Sequence, residues 1–297
     1  MTELLPPIAD VIETATGQRL MVGEWPGDGP TFVFAPGLTS THRNIAGVAA
    51  AADGALRIIA IDLRGRGCSS KPPAGHYGME RHADDVISIM DALGIGRAIV
   101  GGHSMGAYVA TTVAVKAPQR MKGLALIDGG VRLEVQGAPD ADVLLNLLLG
   151  PLMERLETIY SSPEEYKKAW YSQPYVKPNP IADQYLLYDL GLMREGYRPK
   201  CSYTAALEDW RDLINNPSTI KRLREVRCPV LAVGAERGIT PDQPSILGDV
   251  HLEKLREAIG SFDFVRVPDT THHSVTLSPH GAKAVSDALC AFAKRTG

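Results

Sequence analysis

The chain has 297 residues, is 44% hydrophobic and carries a formal net charge of −3. Its length suits one large α/β domain, or a core with an inserted subdomain, and is ample for a buried core. The slightly acidic balance, with no concentrated basic face, argues against a nucleic-acid partner.

The opening MTELLPPIAD has neither a basic start nor a long apolar stretch, so it does not read as a secretory signal. RLMVGEW (19–25) and TFVFAPG (31–37) are the first strand-like runs. GDGP (27–30) between them reads as a hairpin turn, with no Walker or dinucleotide pattern around it. LRIIAIDLRG (56–65), RAIVGGHS (97–104) and GLALIDGG (123–130) follow, and CPVLAVGAE (228–236) and FDFVRVPD (262–269) come last. Most middle runs are continuous in Val, Ile and Leu, as expected of strands buried on both faces of a parallel sheet. Helical patterns over 79–94, 106–121, 251–260 and 281–295 separate them. This alternation predicts a mostly parallel, doubly wound α/β sheet flanked by helices.

The alternation breaks between about 131 and 226. That segment shows helical signals at 139–160, 163–172, 180–195 and 201–215, no strand signal, and most of the tyrosines. Its longest apolar run, VLLNLLLGPLM, is too short to span a bilayer, so no membrane partner is expected. The expected division is a core of 1–130 and 227–297 with a helical cap, or lid, at 131–226. Cys68, Cys201, Cys228 and Cys290 lie far apart without CxxC spacing. They read as reduced thiols of a cytoplasmic protein, not as a disulfide framework or zinc site.

Gly102-His103-Ser104-Met105-Gly106 fits G-x-S-x-G between a buried strand and a helix. Such a turn must reverse sharply, which holds the serine Oγ in the open and needs small residues at both ends. The helix start behind it offers free N–H groups to a developing oxyanion. A serine that merely caps the helix is the plainer reading. Late in the chain, VPDTTHHSV brings His272 and His273 together. Adjacent histidines lack metal-ligand spacing, and no ligand cluster surrounds them, so no metal is expected.

With these motifs in view the chain resembles an α/β-hydrolase with a helical cap. DLRGRGCSS (62–70) is similar to the family's Asp-x-Arg-Gly-x-Gly-x-Ser loop, GGHSMG to its nucleophile elbow, and PDTTHHSV to its histidine loop. The resemblance covers nearly the whole chain and implies an order of serine, acid, histidine. It implies Ser104 as nucleophile and His272 as base. The acid stays open. The family's usual aspartate, after its seventh strand, falls on Arg237 in AVGAERGITPD, with Glu236 one residue earlier and Asp242 farther on. A family alternative at the end of the sixth strand falls on Asp128 in GLALIDGG. Asp128 is favoured, with Glu236 as the alternative. The resemblance further implies an oxyanion hole from the N–H groups of Met105 and of Leu38, in FAPGLTSTH, where Pro36 stands in place of the family's histidine and has no N–H. Thr39, Ser40 and Arg43 belong near this mouth; Asp62 and Arg64 read as structural.

The expected activity is hydrolysis of an ester, lactone or similar acyl bond of a small, partly apolar molecule, without cofactor. Amide or carbon–carbon bond hydrolysis by the same triad is the alternative, and a small-molecule receptor with little turnover is the reading from another class. The substrate is the expected partner, with a homodimer left open.

Overall fold

Continuous apolar runs become the inner strands of one sheet. The computed structural model describes residues 6–131, 140–216 and 222–296. The main sheet contains β1 (Ile8–Glu13), β2 (Arg19–Trp25), β3 (Thr31–Ala35), β4 (Arg57–Ile61), β5 (Ala98–His103), β6 (Met121–Ile127), β9 (Val230–Ala235) and β10 (Asp263–Val267). Their order across the sheet is β1-β2-β4-β3-β5-β6-β9-β10. Neighbours from β4 to β10 are parallel, and β1 and β2 add an antiparallel edge. The expected fold class is therefore present.

Alternate residues of the inner strands face two different cores. Val33, Ala35, Ile59 and Ile61 pack with α2 (Met79–Ala92) and α3 (Met105–Lys116). Phe32, Phe34, Ile58 and Ala60 pack with α1 (Ala46–Ala52) and α10 (Pro279–Thr296). Both faces are dry, which is why these strands read as unbroken apolar runs. Two further helices, α8 (Asp249–Ile259) and the short α9 (Ser274–Leu277), precede and follow β10.

Between β6 and β9 lie α4 (Ala141–Glu154), α5 (Pro163–Tyr171), α6 (Pro180–Asp189) and α7 (Tyr203–Asn215). Each starts on a side-chain cap: Asp140, Ser162, Asn179 and Ser202 accept from N–H groups of the first turn. A buried ion pair knits this insertion together. Arg155 Nη1 donates to Asp189 Oδ2 at 2.5 Å and to the Tyr166 hydroxyl, while Tyr166 donates to the same carboxylate oxygen. Arg155→Met strands Asp189 as an unpaired buried charge. It is expected to destabilise the fold by about 3–5 kcal/mol, read as a lower urea midpoint, with a smaller loss in Arg155→Met/Asp189→Leu.

Three expectations need correction. β1 was not anticipated: its residues are mostly exposed, and an edge strand held by one neighbour leaves little apolar pattern. The helix expected over 180–195 stops at Asp189, and β7 (Leu190–Met193) and β8 (Gly196–Pro199) form a hairpin within a segment read as strandless. Gly191 and Gly196 break the helical pattern there, and Gly196 takes φ 144°, which side-chain-bearing residues rarely adopt. Finally, GDGP is no hairpin turn. β2 pairs with β4 and not with β3, so the loop crosses over the end of β4 instead. Among the described residues no helix is long and apolar enough to cross a membrane.

Candidate active site

Ser104 sits at the tip of β5, in the middle of the sheet. Its φ of 56° and ψ of −121° lie where L-residues rarely settle. The turn closes because its flanking glycines have no side chains. A Cβ on Gly106 would stand 1.9 Å from the Ala35 carbonyl oxygen, and one on Gly102 would stand 2.2 Å from the Gly106 backbone. Ser104 makes no side-chain cap bond to the helix behind it, which removes the helix-cap reading.

The parallel register carries the partners to the same edge. β6 is the neighbour of β5, with His103 opposite Ile127, so the next residue, Asp128, stands beside Ser104. Asp128 is 0% exposed and also takes a positive φ, 45°. Its carboxylate is fully engaged: Oδ1 accepts from the Ala235 N–H at 3.0 Å, and Oδ2 meets His272 Nδ1 at 2.7 Å. A carboxylate can only accept, so Nδ1 carries a proton and Nε2 is the nitrogen left for exchange with the serine. His272 arrives on the loop after β10, anchored by its N–H to the Gly238 carbonyl at 2.8 Å.

Glu236 goes elsewhere. Its Oε2 accepts from the Asp269 N–H at 2.7 Å, and its other oxygen lies 3.3 Å from Arg237, with the side chain 37% exposed. The structure thus brings Asp128, not Glu236, to His272. His273 turns away from Asp128 and packs on Trp170 and Tyr175.

His103 is a residue the sequence reading passed over. Its Nε2–H donates to the His272 carbonyl at 2.8 Å, and the two rings stack with centroids 4.5 Å apart. Burial, then the neighbouring His272, pushes its basicity well below that of an ordinary histidine, so it stays neutral.

Leu38 follows β3, the other neighbour of β5, with Ala35 opposite Gly102. Among the described residues no backbone carbonyl takes the N–H of Leu38 or Met105. Two cavities of about 50 Å³ each share Leu38, Ser104, Leu149 and His272 in their walls. One is mixed in polarity, with Thr39, Ser40, Asn44, Trp170, Tyr185 and His273. The other is mostly apolar, with Met105, Tyr108, Trp210, Leu213 and Ile246. Helix α4 therefore lines both, α5 and α6 line the first, and α7 lines the second. Arg43 lies over the Tyr188 ring and lines neither. Asp62 and Arg64 brace the loop after β4: Asp62 accepts from His42, the Cys68 N–H and Tyr188, and Arg64 grips Asp85 through two bonds.

The chain is 27% identical over 256 residues to the 2-(acetamidomethylene)succinate hydrolase of Mesorhizobium japonicum, covering 85% of each chain. It is 32% identical over 152 residues to the 2-hydroxy-6-oxononadienedioate/2-hydroxy-6-oxononatrienedioate hydrolase of Burkholderia vietnamiensis, a match spanning about half (49%) of each. A crystal structure of E-2-(acetamidomethylene)succinate hydrolase superposes with a TM-score of 0.81 at 24% identity, over 95% of this chain and 99% of that one, a likeness of fold. The family model for the alpha/beta hydrolase fold matches residues 30–181, just over half of the sequence. On that match, and on a sheet whose strand ends gather Ser104, Asp128 and His272 at one edge, the chain belongs to the α/β-hydrolase fold family.

Proposed function

We propose that this protein is a serine hydrolase that cleaves an amide bond of a small molecule through an acyl-enzyme. The observation that carries the reading is the 2.7 Å contact between Asp128 and His272, in walls shared with a Ser104 held at a strained elbow. Ser104 Oγ attacks the carbonyl and passes its proton to His272 Nε2. Asp128 holds the tautomer and stabilises the imidazolium. The N–H groups of Leu38 and Met105 receive the oxyanion. His272 then protonates the leaving nitrogen, and a water activated by the same ring releases the acyl group as a carboxylic acid. Helices α4 to α7 serve as the cap that excludes bulk water, and the two small cavities accommodate the parts of the substrate on either side of the scissile bond.

The choice of bond moves from the sequence expectation. The relative that aligns over 85% of both chains is named for an acetamido compound, which favours an amide over an ester or lactone. Carbon–carbon cleavage is the second reading, favoured by the relative named for an oxo-dienedioate, a substrate name that holds neither ester nor amide.

The test compares 2-acetamidoacrylate, a small acetylated enamine, with p-nitrophenyl acetate. Acetate release from the amide, lost in Ser104→Ala, is the expected result. Turnover of the ester alone would restore the ester reading, and binding of either compound without Ser104-dependent turnover would make the protein a receptor.

A further inference from the structure

We propose that Arg66 is the positioning residue of the oxyanion hole: its buried guanidinium holds the Leu38 carbonyl, in the peptide that follows the Leu38 N–H, so that Leu38 cannot rotate its N–H away from the reacting carbonyl, and it ties that orientation to α7. This rests on the hydrolase reading above.

Arg66 lies in the loop after β4 and is 0% exposed. A guanidinium has five N–H donors in a fixed plane, and here all three nitrogens have partners. Nε and Nη2 both donate to the Leu38 carbonyl oxygen, at 2.9 and 2.8 Å. Nη1 donates to the Arg64 carbonyl at 2.9 Å and lies 2.5 Å from Asp209 Oδ2 as an ion pair. The remaining Nη2 hydrogen faces Met105 Sδ at 4.0 Å. One side chain therefore touches both residues whose N–H groups would receive the oxyanion. Two bonds to one oxygen fix the Leu38 carbonyl on the guanidinium side, where its negative end cannot oppose charge building on the substrate. The peptide before it, which bears the Leu38 N–H, is held at its own carbonyl by the Ser40 N–H on Gly37 at 3.1 Å, so with both carbonyls held the rotation of Leu38 between them is restricted.

The anchor of this clamp is not in the core sheet. Asp209 belongs to α7, in the segment inserted between β6 and β9. Its Oδ1 accepts from the Gly78 N–H at 2.6 Å, and Oδ2 meets His82 Nε2 at 2.9 Å. Burial works to raise the Asp209 carboxyl, yet His82 and Arg66 hold it down at about 2, so it is ionised and the buried pair is balanced. A merely structural ion pair needs no bidentate grip on a loop carbonyl. The grip on Leu38 distinguishes this arginine.

Lysine keeps the charge and can reach Asp209, but a single ammonium cannot chelate Leu38 while holding Arg64 and Asp209 in the same plane. Arg66→Lys is therefore the informative variant. Arg66→Met/Asp209→Asn removes both charges of the pair while the amide oxygen still accepts from the Gly78 N–H, and serves if the lysine variant folds poorly. The measurements are kcat and KM for p-nitrophenyl acetate, and the affinity for phenylboronic acid, whose tetrahedral adduct with Ser104 places an oxygen in the hole. The expected result, per folded enzyme, is a fall of about 10–100-fold in both kcat and boronate affinity, with KM within about threefold. Loss of folded protein with kcat and boronate affinity per folded molecule unchanged would overturn the proposal. So would a boronate adduct of wild-type affinity in either variant, and that result would leave the hydrolase reading intact. Absence of any Ser104-dependent adduct in the wild-type protein would remove both together.

Discussion

Ser104→Ala is expected to lower kcat by about 10⁶-fold while leaving the fold intact. The alanine loses only an oxygen that caps no helix, so stability should change little. Relief of the elbow is not expected either, because φ of 56° is imposed by the backbone around it and is as uncomfortable for alanine. Residual activity of about 10³–10⁴-fold over water should survive, since the oxyanion donors and the cavity walls remain. The measurement is turnover of 2-acetamidoacrylate and p-nitrophenyl acetate beside a thermal unfolding curve. Activity within tenfold of wild type in a folded Ser104→Ala protein would end the serine-nucleophile reading.

Asp128→Asn is the second large effect, and its direction follows from the hydrogen bonds. Oδ1 accepts from the Ala235 N–H, so an asparagine keeps that bond with its carbonyl oxygen and turns its NH₂ toward His272. His272 Nδ1 must then accept, its proton moves to Nε2, and the nitrogen facing the serine is no longer a base. A loss of about 10⁴-fold in kcat is expected, with the side-chain shape preserved. Glu236→Gln is the control: its carboxylate holds the Asp269 N–H and Arg237, far from this exchange, and kcat should stay within about twofold. A large loss in Glu236→Gln with activity retained in Asp128→Asn would reverse the assignment of the acid.

How much of this was legible beforehand depended on whether the signal was local. IIAI, AIVGG and LALI announce strands because two dry faces demand apolar residues at every position. Ser104 could be found because its turn imposes small residues at fixed offsets. Asp128 was legible as a charge at the end of a buried run, which needs a partner. The resemblance implied His272 as its partner with Glu236 as the rival acid; the contact that separates them came only with register, since β6, β9 and the loop after β10 meet in space and not in sequence. Arg66 and His103 were missed for the same reason. Arg66 reads as one more loop cation until α7 brings Asp209 across, and His103 occupies the freely variable position of its motif. The hairpin at β7–β8 was hidden by apolar residues whose spacing a helix could equally use, and only its glycines argued otherwise.

The contact between His103 and His272 has a mechanical consequence. One bond and one stacked ring pair join the turn that bears the serine to the loop that bears the base, and the Asp128 contact closes the loop on its other side. Three chain segments more than 140 residues apart at their extremes thus behave as a single bolted joint. The base cannot swing clear to admit a substrate without undoing both fastenings. Helices α4 to α7 meet the site outside this joint, through the walls of the two cavities, and α7 also through the Asp209–Arg66 pair.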